Sequence, residues 1–295
     1  MAPELGSILT AMVTPFDHRG RVDEDAAVAL MHHLVEHGSD GLVVCGTTGE
    51  AATLNDEEHL GVIALAVREM KGRATVIAGV GSNDTRHAVH LTERATAIGP
   101  DALLSVNPYY NRPGRRGIIA HYREVARATD LPILLYNIPQ RTGEDLPNEL
   151  LAELGQIDGI VGVKQANHAN LAPIDGMMIY AGNDDMLADV LDLGEAGGIL
   201  TGSHLFGEEM HRMVDEPEHR REIEAGLADV YRDLAVAPAA CTIKAALNLV
   251  GIRVGAPRLP YVELDDDERA VVRGMLERHG LLASERAISG LRRGL

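Results

Sequence analysis

Eight short apolar runs recur along the chain: Ile8 to Val13, Gly41 to Cys45, Thr75 to Val80, Ala102 to Val106, Pro132 to Tyr136, Ile160 to Lys164, Met178 to Ala181 and Gly198 to Thr201. Several are apolar almost throughout instead of alternating with polar residues. That is the pattern of parallel strands covered by helices on one face and packed inside a barrel on the other. Between them lie amphipathic stretches that begin on helix-starting residues, among them Asp23 to His37, Asn55 to Met70, Asp84 to Ile98 and Arg116 to Thr129. The first strongly apolar residues of six successive runs, Ile8, Leu42, Val76, Leu103, Ile133 and Val161, are spaced 27 to 34 residues apart, which suits a βαβ unit of about 30 residues. The last two steps, to Ile179 and Ile199, are 18 and 20 residues, so helices there must be short. The expected fold class is α/β, a (β/α)8 barrel with a C-terminal helical appendage. An open doubly wound sheet competes, but it often carries a glycine-rich phosphate turn after its first strand, where this chain reads Val13-Thr14-Pro15-Phe16-Asp17.

After Thr201 the segments 208–236, 238–251 and 264–281 read as helices, with a loop at Gly255 to Pro260. Part of the first is expected to close the barrel. The division expected is a catalytic barrel over 1–225 and a helical region over 226–295, with no role assigned to the tail from Ser284. A length of 295 residues fits one barrel of about 250 residues plus an appendage. With 45% apolar residues but only 3% aromatic ones, the core must be built from Ala, Val, Ile and Leu.

Charge and cysteine content narrow the function classes. The formal net charge of −17 repels phosphate backbones and anionic membrane surfaces, so nucleic acid is an unexpected partner. No apolar run approaches the length of a membrane span, and Met1 to Ser7 lacks a signal-peptide pattern, so a cytoplasmic protein is expected. Cys45 and Cys241 make no disulfide framework and no C-x-x-C pair, which fits a reducing compartment. Arginine carries nearly all the positive charge, and only Lys71, Lys164 and Lys244 are lysines. A lysine inside the core therefore points to chemistry of its own.

In Ile160-Val161-Gly162-Val163-Lys164, strand alternation that turns Val161 and Val163 toward the helices turns Gly162 and Lys164 toward the barrel interior. Lys164 then stands at the C-terminal end of the sixth strand, where barrel enzymes keep their active sites. A partly desolvated amine there has a lowered pKa and attacks carbonyls to form a Schiff base; the bland alternative is a lysine paired with a strand-end carboxylate. By the same parity Tyr136 ends the fifth strand, where its hydroxyl can relay protons, although an isolated strand-end tyrosine is more often packing. Arg141, on the loop beyond it, can clamp a carboxylate bidentately. The turn Gly46-Thr47-Thr48-Gly49-Glu50 offers backbone N–H groups and two hydroxyls to an anion, or is an ordinary βα turn. Gly79 to Asp84 is better read as a helix start capped by Ser82 or Asp84 than as a phosphate loop. No metal is expected: His33 with His37 and His87 with His90 lack a third ligand, and Asn183-Asp184-Asp185 reads as a helix start.

Ala11-Met12-Val13-Thr14-Pro15-Phe16, Gly46 through Leu54, Asn107-Pro108-Tyr109-Tyr110-Asn111-Arg112-Pro113, Tyr136 through Gly143 and Gly162-Val163-Lys164 together resemble the dihydrodipicolinate synthase and N-acetylneuraminate lyase superfamily, over nearly the whole chain. The resemblance implies a class I aldolase in which Lys164 forms the Schiff base with pyruvate. It further implies a proton relay of Tyr136, Thr47 and Tyr110, with Tyr110 reaching into a neighbouring subunit of a homotetramer built as a dimer of dimers. Thr47 and Thr48 would hold the pyruvate carboxylate, with Gly46 and the Ile199 carbonyl beside them. Arg-Thr-Gly at 141–143 looks like the synthase branch, whose arginine holds the carboxylate of aspartate semialdehyde; the alternatives are a lyase of 2-keto-3-deoxy sugar acids or sialic acid, or a silent paralogue kept as a binding protein. No cofactor is implied. Gln165, where many synthases carry an acid, and Ile199-Leu200-Thr201-Gly202-Ser203-His204 depart from the common pattern and bear on the aldehyde. Asp56 and His87 stand where lysine-inhibited members often have His and Glu, which implies weak or absent lysine feedback.

Overall fold

The computed structural model describes residues 3–282. Eight strands, β1 (Ile8–Ala11), β2 (Gly41–Val44), β3 (Thr75–Gly79), β4 (Ala102–Val106), β5 (Ile133–Asn137), β6 (Ile160–Gln165), β7 (Met178–Ala181) and β8 (Gly197–Leu200), pair in chain order and close into a barrel. Every neighbouring pair is parallel. Alternation along the strands splits the core in two. Leu9, Val43, Ile77, Leu104, Leu134, Tyr136, Tyr180 and Ile199 fill the barrel interior, while Ile8, Leu42, Val76, Leu103, Leu135, Val163 and Ile179 pack outward against the helices.

Those helices are α1 (Glu24–Glu36), α2 (Asp56–Met70), α3 (Thr85–Ile98), α4 (Gly114–Arg127), the short α5 (Pro139–Thr142) and α6 (Asn148–Leu154). Their starts are set by local chemistry. Asp23 accepts from the Ala26 N–H, Asn55 and Glu58 form a reciprocal capping box, and Asp84 accepts from the Arg86 N–H, each cap contributing about 1 kcal/mol. The short steps near the end of the barrel have a plain cause: only a 3-10 turn, His168–Asn170, separates β6 from β7, and β7 is followed by a 3-10 turn and the six-residue α7 (Leu187–Asp192).

Two expectations are corrected here. The single helix over 208–236 is two helices, α8 (Ser203–Asp215) and α9 (Arg220–Leu234); Pro217 lies in the gap, where a residue without an N–H cannot continue the ladder. The register between β5 and β6 shifts from Ile133↔Ile160 to Leu134↔Gly162, so Val161 packs against the interior cluster instead of the helices. The irregularity lies below Val163, and the parity that turns Lys164 inward is intact. α10 (Ala239–Leu249) and α11 (Asp266–Arg278) complete the C-terminal side. α9 crosses residue 225 without a break, and Arg220 and Arg221 in its first turn are paired with Asp189 and Asp192. The tail from Ser284 lies outside the described residues.

The ladder between β8 and β1 is flanked by polar side chains. The His204 Nδ1–H donates to the Thr201 carbonyl at 2.8 Å, and His204 Nε2 accepts the Val13 N–H at 3.1 Å. Thr10 bridges the Ser39 and Ser203 hydroxyls at 2.6 and 2.7 Å.

Candidate active site

At the C-terminal mouth of the barrel lies a cavity of about 880 Å³. Thr47, Thr48, Tyr136, Arg141, Lys164 and Thr201 contribute to its wall, with Asp184 and Asp185 beyond β7 and Glu224, Tyr231 and Arg232 from α9. Lys164, 6% exposed, pairs in register with Tyr136 on one side and Tyr180 on the other. Its Nζ lies 4.5 Å from the centre of the Tyr136 ring. Burial pushes the Lys164 amine down to about 8; the Asp184 carboxylate opposes this, and the Arg141 charge adds to it. Tyr136 is pushed up to about 12 by burial, with the Arg141 charge and the neighbouring Thr47 hydroxyl working the other way. At neutral pH the phenol is a proton donor beside an amine that can shed its proton, the arrangement an imine-forming site needs.

Of the residues singled out in the sequence, Lys164, Tyr136, Thr47, Thr48 and Arg141 are brought together at this one cavity. Gly46 and Ile199 do not contribute to the wall. Ile199 is fully buried and paired with Leu9, and Gly46 closes the turn by accepting the Ala51 N–H at 3.2 Å. Tyr110 is elsewhere: it is 89% exposed, in a left-handed conformation (φ 73°), and its N–H donates to the Thr142 carbonyl at 3.2 Å. The β4–α4 loop that carries it therefore leans on the Arg141 loop while its phenol projects away from the chain.

Gln165 does not face the cavity. One residue past Lys164, it points to the opposite side of the sheet, where its Oε1 accepts from Asn137 Nδ2 and the Asn167 N–H, each at 3.0 Å. Gln165 there joins an amide network around Asp145, which accepts from Asn137, Asn167 and Asn170. Thr201 does line the cavity. The turn after β2 can approach β3 closely because Gly79 lacks a side chain: a Cβ there would lie 2.1 Å from the Cys45 carbonyl oxygen.

Sequence reasoning missed Asp184. It opens a 3-10 turn as a helix start would, yet its carboxylate is buried and accepts from the Thr201 N–H at 2.8 Å, the Thr201 hydroxyl at 2.9 Å and the Gly202 N–H at 3.0 Å. Burial raises its pKa, against those hydrogen bonds and the Lys164 charge. It ties the end of β8 to β7 and faces the amine. Tyr231 was also missed; its hydroxyl is buried without a partner among the described residues. Position beyond a barrel strand was the only signal for Asp184, and it is shared with Asn183 and Asp185. Among the described residues no group of three or more His, Cys, Asp or Glu is arranged to hold a metal ion, and no helix is long and apolar enough to cross a membrane.

Comparison with known proteins shows the family. The profile of the dihydrodipicolinate synthetase family matches residues 4–279. A 4-hydroxy-tetrahydrodipicolinate synthase of Synechococcus sp. (strain JA-2-3B'a(2-13)) is 40% identical, covering 95% of this chain and 96% of its own. Among solved structures, a dihydrodipicolinate synthase of Bacillus anthracis superposes with a TM-score of 0.90 at 34% identity, over 94% of this chain and 99% of that one. One from Cyanidioschyzon merolae, with lysine bound, gives 0.89 at 36% identity over 94% and 99%.

Proposed function

Because the chain belongs to the dihydrodipicolinate synthetase family, we propose that it is a pyruvate-dependent class I aldolase that condenses pyruvate with aspartate 4-semialdehyde to 4-hydroxy-tetrahydrodipicolinate, the step that commits carbon to diaminopimelate and lysine. The observation that carries this reading is the buried Lys164 amine, held at a pKa of about 8 beside Tyr136 in the barrel mouth.

The neutral Nζ attacks C2 of pyruvate, and loss of water from the carbinolamine leaves the iminium. Tyr136 and Thr47 relay the protons, and the Thr47 and Thr48 hydroxyls hold the carboxylate, with Gly46 setting their turn and the Ile199 carbonyl closing the floor. Loss of a methyl proton gives the enamine, whose carbon attacks the aldehyde carbon, and the resulting alkoxide takes up a proton. Arg141 grips the second substrate's carboxylate, a bidentate role that suits guanidinium. The substrate amine then attacks the imine carbon, and transimination returns Lys164 as a free amine while the ring closes. The lysine carries the covalent chemistry, so no cofactor is assigned. Tyr110, 89% exposed on its loop, is assigned to the relay of an adjacent subunit in a cytoplasmic homotetramer.

Purified protein should consume pyruvate only when aspartate 4-semialdehyde is added, and should release no pyruvate from N-acetylneuraminate or 2-keto-3-deoxy sugar acids. Cleavage of either sugar acid without the condensation would assign the chain to a sister lyase.

A further inference from the structure

Lys244 is the second buried lysine, on α10 and outside the cavity wall. Its side chain is 1% exposed, and its Nζ lies 2.6 Å from Oε1 of Glu50, whose side chain is 0% exposed. That oxygen has no other polar partner among the described residues. The second oxygen, Oε2, accepts the Arg258 N–H at 2.8 Å. Lys244 Nζ and the Arg258 guanidinium lie over the Phe16 ring at 4.0 and 4.2 Å, and Arg258 also donates to the carbonyls of Gly20 and Thr53. The loop between them packs so closely that a Cβ at Gly255 would lie 1.9 Å from the Phe16 carbonyl oxygen.

Stability alone does not account for this ion pair, since apolar residues of the same volume often serve a core as well or better. The backbone beside it does. Glu50 closes the turn that presents Thr47 and Thr48, and it is left-handed at φ 57°; Cys45, which opens the turn, is left-handed at φ 55°. Non-glycine residues hold such conformations only where their surroundings over-determine them. The Glu50 N–H reaches the Thr47 carbonyl at 3.1 Å, and the Thr14 hydroxyl reaches the Gly49 carbonyl at 2.6 Å. Between these bonds, the carboxylate of Glu50 is the turn's anchor to the C-terminal side of the protein.

We propose that Lys244 is a positioning residue for the pyruvate carboxylate: through its buried ion pair with Glu50 it fixes the turn that aims the Thr47 and Thr48 hydroxyls at Lys164. This rests on the assignment of those threonines to pyruvate. Lys244→Met leaves a buried carboxylate without its counter-charge, Glu50→Gln does the reverse, and the double variant removes both charges. The expected result is a rise of about tenfold in the KM for pyruvate in each single variant, with kcat and the KM for aspartate 4-semialdehyde within about twofold of the parent. Because Lys244 acts through Glu50, the double variant should be no worse than either single one. A pyruvate KM within about twofold of the parent in the variants, whatever their melting temperatures, overturns the proposal. Should one single variant fail to fold, the other and the double decide. Borohydride trapping of pyruvate on the parent protein separates the two claims: no trapping there refutes the aldolase reading, whereas trapping with an unchanged KM in the variants refutes only the role of Lys244.

Discussion

Lys164 and Lys244 are both almost fully buried, yet their neighbours give the two amines different work. Lys244 is in direct contact with the Glu50 carboxylate. Lys164 faces Asp184, whose carboxylate is already engaged by Thr201 and Gly202, and burial dominates its pKa. Above about pH 8 the Lys164 amine is largely neutral, while Tyr136, pushed up to about 12, keeps its proton. The kcat/KM for pyruvate should therefore rise as pH increases through about 8 and level off above it; a flat profile from pH 6.5 to 9.5 would contradict the assignment. Tyr136→Phe should lower kcat by about 10² or more while still forming the trapped imine, as loss of one proton-transfer group does. Lys164 was legible in the sequence because strand parity and barrel polarity both pointed to it. Asp184 was not, since its role depends on backbone N–H groups seventeen residues away that no local pattern announces.

Among the elements, all eight strands were legible as apolar runs, because each is buried on both faces. The shift between β5 and β6 was not: a bulge changes which way Val161 points without changing its composition. The break between α8 and α9 was marked by Pro217, a signal outweighed by the apolar periodicity on both sides of it. Beside the seam between β8 and β1, burial pushes His204 down to about 4, with its hydrogen bond to Thr201 opposing. His121, buried near α3, is lowered to about 4 for the same first reason. Both fold as neutral rings, so their contribution to stability is fully present above pH 6.5 and is lost as pH falls toward 4, by at most about 3 kcal/mol each. Urea midpoints should drop across that window, and less steeply for His204→Gln; midpoints constant between pH 6.5 and 4.5 would show that the buried rings do not carry this cost.

For the whole molecule, the barrel was legible from the spacing of its apolar runs and the C-terminal side was legible as helical, whereas the meeting of α10 with the threonine turn and of α9 with the cavity was not, because the Lys244–Glu50 contact spans some 200 residues of sequence. Near α2 and α3, Asp56 Oδ1 sits 2.9 Å from His87 Nε2, with His90 at 3.8 Å from the other oxygen. This pair is engaged with itself, and lysine at millimolar concentration is expected to leave the initial rate nearly unchanged; strong inhibition in that assay would overturn the expectation. The catalytic expectations depend on a single covalent bond. Incubation with pyruvate and borohydride, followed by peptide mapping, should add one reduced pyruvyl group to the peptide containing Lys164 and none to those containing Lys71 or Lys244. An unlabelled Lys164 in protein that still turns over pyruvate would contradict the central claim.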